Sequence, residues 1–132
     1  MRVKCIKDDL SNIIDSEVRE RLSQTIHITG PITTLDVGKE YLVQAVEVWE
    51  GGVWVYLQTY LPGEYPYHYP IEMFEVVDNK LPEGWSVQFE EKNGNITFKR
   101  ICIPEWADDE EFYAKLIDGD PKTVALYRKK MR

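Results

Sequence analysis

The chain has 132 residues and a mass of 15.5 kDa, with 43% hydrophobic content, which is one domain's worth of sequence and enough for a single core. Its net charge of −7 is unevenly spread: residues 1–35 balance five basic against five acidic side chains, residues 36–91 set Lys39 and Lys80 against eleven acids for a net −9, and residues 92–132 come to +2. So acidic a centre repels phosphate backbones, which argues against nucleic acid as the main ligand, and it attracts a basic protein and speeds encounter with it. The same acidity also keeps a small protein soluble.

Lys4, Lys7, Asp8 and Asp9 interrupt the first nineteen residues, so neither a secretory signal nor a membrane span is expected. Cys5 and Cys102 have no local partner and read as free, reduced, buried thiols in a cytoplasmic protein.

Met1–Ile6 reads as a short leading strand. Over Asn12–Gln24, Ile13, Ile14, Val18 and Leu22 form one stripe of a helix, with Ser11 or Asn12 as cap and Asp15 and Glu17 favouring its first turns. Thr25–Thr34, with Gly30-Pro31 inside it, reads as a connecting loop. Tyr41–Trp49 and Val53–Tyr60 are strand-like runs joined by Glu50-Gly51-Gly52, whose glycines supply the positive φ of a tight hairpin. Both runs are apolar on both faces, the pattern of strands covered twice in a small curled barrel.

Pro62, Pro66 and Pro70 lack donors, so Pro62–Pro70 is expected to leave the ladder as a loop. One turn over Glu72–Phe74 then leads into a short strand, Glu75–Val77. The second hairpin alternates cleanly around Asn93-Gly94. Centred there, it sets Phe89 against Phe98, Trp85 against Cys102, Gln88 against Lys99 and Val87 against Arg100, and Arg100 on that apolar face requires a bulge or a partner.

The end reads as two helices. Asp108–Glu111 supplies acids to the first N-terminus, Phe112, Tyr113, Leu116 and Ile117 form its stripe, and Gly119 stops it. Asp120 caps the second, with Pro121 at its first position and Val124, Tyr127 or Arg128, and Met131 at helical spacing. The expected architecture is therefore one α+β domain over residues 1–132, a curled antiparallel SH3-like sheet with one N-terminal and two C-terminal helices.

Little in the chain selects a chemistry. His27 and His68 are the only histidines, and no cysteine spacing or HExxH helix accompanies them, so no metal site is expected. Gly38, Gly51, Gly52 and Gly63 assemble no phosphate-cradling loop, and no serine sits in a nucleophile elbow. No catalytic residue and no cofactor are assigned, and the chain reads as a binding protein rather than an enzyme. The four tryptophans, Trp49, Trp54, Trp85 and Trp106, read as core.

Tyr60–Pro70, YLPGEYPYHYP, is the most distinctive stretch. Tyrosine gives large contact area at low entropic cost, and proline reduces the ordering penalty of association. The expected partner-binding surface is Tyr60, Glu64, Tyr65, Tyr67, His68 and Tyr69, with Glu47, Glu50 and Glu72 as its acids. The competing reading is that these tyrosines plug the open end of a barrel.

Over about residues 35–118, LDVGKEYLVQAVEVWEGG and YPYHYPIEMFEVVDNKLPEGW resemble small bacterial immunity-type proteins associated with secreted or contact-delivered toxins. The resemblance implies an inhibitor, or antitoxin, that neutralises a cognate, basic toxin domain by direct protein–protein interaction. It carries over no site residues and says nothing of oligomeric state. The alternative is an SH3-like adaptor or translation-associated binding module without catalytic activity.

Overall fold

Two turns with left-handed backbone organise the sheet. Glu50 and Gly51, at φ 48° and 73°, close β2 (Glu40–Trp49) onto β3 (Gly52–Leu57). Asn93 and Gly94, at φ 53° and 79°, close β6 (Ser86–Lys92) onto β7 (Asn95–Cys102). Positive φ at both central residues matches the turn twist to the strand twist. In the first hairpin the left-handed pair is thus Glu50-Gly51, not the two glycines. At Gly52 a Cβ would lie 2.9 Å from the Arg21 guanidinium, the far end of a flexible side chain that would have to shift.

The computed structural model describes residues 1–59 and 65–131. Within them, β1 (Arg2–Cys5), β4 (Tyr67–Pro70) and β5 (Phe74–Asp78) complete an antiparallel sheet of seven strands. The path runs β4-β3-β2-β1-β5. β2 is the hinge of the design, because β3 takes one edge while β1 and β7 share the other, β1 opposite residues 40–42 and β7 opposite Val46 and Glu47. β6 extends the sheet beyond β7.

From Trp54 onward both faces of β3 are buried, as its doubly apolar pattern implies. Val55 and Leu57 join Val3, Cys5, Val43, Tyr69 and Met73 in one core. Tyr56, on the opposite face, packs with Ala45, Cys102, Trp106, Phe112, Leu116 and Tyr127 beneath the C-terminal helices, and Trp54 meets Ile13 and Leu22. Trp106 is fully buried, Trp54 nearly so, and half-buried Trp85 packs against both larger cores, but Trp49 is 40% exposed and departs from the core expectation.

Several boundaries differ from those expected. The helix α1 spans Ser16–Thr25, and Asp15 caps it by accepting from the Glu17 and Val18 amides. A separate 3-10 turn at Leu10–Asn12 precedes it, which leaves Ile14 88% exposed and outside the stripe. Asp15→Ala is expected to lower stability by about 1 kcal/mol, the usual cost of a lost N-cap, readable in a urea melt.

Three helices, not two, end the chain: α2 (Pro104–Ala107), α3 (Phe112–Ile117) and α4 (Pro121–Lys130). The additional one starts on Pro104 at its first position and serves to bury Trp106. Asp120 accepts from the Thr123 amide at the start of α4, and Gly119 before it has φ 75°, as the stop-and-cap pattern requires.

Tyr67–Pro70 is the other correction. It forms β4 against β3, with Tyr69 opposite Val55 and Pro70 opposite Trp54. An edge strand tolerates prolines because only one side of its backbone meets a ladder. Pro62, and with it the first half of the expected loop, lies outside the described residues.

Cys5 and Cys102 are free and buried. Burial raises both thiols, Cys102 to about 12. Both are expected to resist a disulfide-exchange reagent at pH 8 in the folded protein and to react once it is unfolded in urea, because the thiolate is the nucleophile.

Candidate binding surface

A buried polar cluster lies where β2, β3, β6 and β7 meet. Glu47 faces Arg100 directly across the β2–β7 ladder, and the two side chains form an ion pair at 6% and 7% exposure. Tyr56 donates to the second Glu47 oxygen at 3.0 Å, and Arg100 Nη1 donates to Gln88 at 2.8 Å. The Arg100 guanidinium also lies over the Trp106 and Tyr56 rings, 5.1 and 5.6 Å from their centroids.

Burial acts to raise the Glu47 carboxyl, but His68, Arg100 and Tyr56 outweigh it and hold the group below the ordinary glutamate range. The Tyr56 hydroxyl is pushed up by burial and by the Glu47 charge. This arrangement depends on a register slip. Between Gln88 and Phe89 the β6–β7 pairing shifts, so Arg100 faces Gln88 instead of Val87, Ile101 takes the place opposite Val87, and Cys102 faces Ser86 rather than Trp85. The Phe89–Phe98 pair is where expected. Arg100 has both a bulge and partners.

Above this cluster, His68 stacks among aromatics. Its ring centroid is 5.5 Å from Trp49, 4.9 Å from Trp54 and 5.5 Å from Tyr56. His68 Nδ1 lies 3.8 Å from Glu47 Oε2, within ion-pair range but too far for a hydrogen bond. Trp49, Trp54, Tyr67, His68 and Tyr69 form one wall of a cleft of about 500 Å³, and the segment from Thr25 to Thr34 forms the other.

The residues expected to bind a partner are therefore dispersed in role. Glu47 is an internal counter-ion, and Glu72 pairs with Arg21 at 2.5 Å, so neither presents a free charge. Arg21 also donates to the Gly51 carbonyl and so ties α1 to the hairpin tip. Tyr69 is 5% exposed, and its hydroxyl lies within hydrogen-bond distance of Thr34 and Thr59. Tyr65 is half-buried against Tyr67, which donates to it at 3.2 Å, and against Tyr113. Tyr67 and His68 are partly exposed on the cleft, and Glu50 is exposed at the hairpin tip. Tyr60 and Glu64 lie outside the described residues.

A second surface was not singled out by the sequence. Ile96, Phe89, Val87 and Phe98 are 76%, 60%, 43% and 38% exposed, and the register places them on one face of the β6–β7 ribbon. Ile101 joins that face to Val46, and from there the exposed pair Val48–Val53 continues it across β2 and β3. The alternation of Val87, Phe89, Ile96 and Phe98 was the available signal, but it marks an apolar face without saying whether anything covers it.

Among the described residues, no group of three His, Cys, Asp or Glu is placed to hold a metal ion, and no helix is long and apolar enough to cross a membrane. Compared with protein-family models, with curated proteins and with solved structures, the chain finds no match in any of the three.

Proposed function

We propose that the protein is an immunity-type binding protein that neutralises a cognate, basic toxin domain by direct contact in the cytoplasm. The observation that carries this reading is the exposed apolar stripe from Ile96 through Phe89 and Phe98 to Val48 and Val53. The link through Ile101 and Val46 is half-buried, but large apolar side chains exposed on either side of it are costly to leave in water and characteristic of protein-binding surfaces. The charge supports a basic partner: residues 40–79 contain seven acids and neither Lys nor Arg. In this reading the sheet is an SH3-like curl, bent at the β2 irregularity between Val43 and Ala45, with its ribbon face turned to the toxin.

The test is co-expression with the product of the neighbouring gene, followed by binding kinetics on the isolated pair. A stable complex with a basic toxin domain is expected, and Phe89→Ser is expected to weaken it by about 1–3 kcal/mol, as for an interface anchor. Tight RNA binding with a steep salt slope, and no such complex, would instead identify a translation-associated module.

A further inference from the structure

We infer that the cleft between β2, β3, β4 and the Thr25–Thr34 segment receives a cationic side chain, a lysine or arginine supplied by the basic partner. The inference rests on the reading above for its source of the cation, but its chemistry is carried by the cleft itself. One wall is aromatic, with Trp49, Trp54 and His68 in mutual ring contact and Tyr67 and Tyr69 beside them. None of the thirteen residues lining the cleft is Lys, Arg, Asp or Glu. An entering cation therefore meets aromatic and imidazole rings and no Lys or Arg, a setting in which cation–π attraction can act.

The strands around the cleft carry the matching sign. Glu47, with Oε2 3.8 Å from His68 Nδ1, is already balanced by Arg100, and the acid left unbalanced beside Trp49 is Glu50, exposed at the hairpin tip. β2, β3 and β4 contribute no Lys or Arg. An anionic ligand would find no countercharge on the lining. The same fold already holds one guanidinium on aromatic faces, that of Arg100 over Trp106 and Tyr56, so the chemistry has an internal precedent a few ångströms deeper.

The experiment titrates the full chain with choline, with Nα-acetyl-arginine amide and with 3,3-dimethylbutanol, the uncharged isostere of choline, following the tryptophan indole resonances by NMR. Saturable shifts of the Trp49 and Trp54 indoles are expected with both cations, and binding of the isostere is expected to be at least about fivefold weaker, the order of a single cation–π contact. Trp49→Leu should weaken cation binding by a similar factor; because Trp49 is 40% exposed, its thermal melt should stay near that of the parent and so confirm folding. Equal or tighter binding of the isostere, or no saturation by either cation, overturns the inference. A complex with the toxin domain that forms while both cations fail would leave the proposed function standing without it. Cation binding by a chain that forms no such complex would uphold the cleft chemistry and remove the proposed partner.

Discussion

Replacing Arg100 by methionine is expected to lower the free energy of unfolding by about 3–5 kcal/mol, because it strands Glu47 as a buried carboxylate without its counter-ion. Glu47 is 6% exposed and has Tyr56 as its remaining close hydrogen-bond donor. The double substitution Glu47→Leu with Arg100→Met is expected to recover most of the loss, since apolar replacement of a whole buried pair is often neutral or stabilising. Urea melts of the two single variants and the double give the coupling directly, and additive losses would show that the pair is not an energetic unit.

The same pair sets the acid limb of stability. The folded Glu47 carboxyl sits below its unfolded value, so the folded state holds its charge to lower pH than the unfolded chain does. Its contribution is therefore fully present above the ordinary glutamate range of about 4.3 and is lost as pH falls below it through the lower folded value. Glu47→Gln should flatten that part of the stability profile. An unchanged acid limb would assign acid sensitivity to other carboxylates.

Much of this frame was legible in the chain. Asn93-Gly94 identified the second hairpin because only a narrow set of residues adopts two left-handed positions in succession, and Asp120-Pro121 after Gly119 marked a helix boundary for the same local reason. What local pattern could not supply was register. A single slip between Gln88 and Phe89 moved Arg100 from Val87 onto Gln88, the β2–β7 pairing set it against Glu47, and nothing within ten residues of either acid or base reveals a partner 53 positions away. Proline content likewise misdirected the reading of Tyr67–Pro70, because whether a strand is at an edge is decided by the whole sheet. The acids of the expected surface were misjudged by the same distance effect, Glu72 being neutralised by Arg21 from α1. Trp49, patterned as core, stands at a strand end on the wall of the cleft and is left partly in solvent.

The two adjacent tyrosines of β4 should part company on mutation. Tyr69 is 5% exposed, packs with Phe74 at 6.3 Å between ring centroids and belongs to the core of Val3, Val55 and Met73. Tyr69→Ala is expected to cost about 3–5 kcal/mol in folding, the range for emptying a buried aromatic site. Tyr69→Phe keeps the ring and removes a hydroxyl that lies within reach of Thr34 and Thr59, which is expected to cost about 1 kcal/mol. Tyr67, partly exposed on the cleft beside Tyr65, should lose much less stability on truncation to alanine, with its effect appearing in affinity for the proposed basic partner. Melts of all three variants, set beside affinity per folded molecule, separate the roles. If Tyr69→Ala melts like the parent and loses only affinity, the side chain is an interface anchor, and the core built around it must be held by its aliphatic members alone.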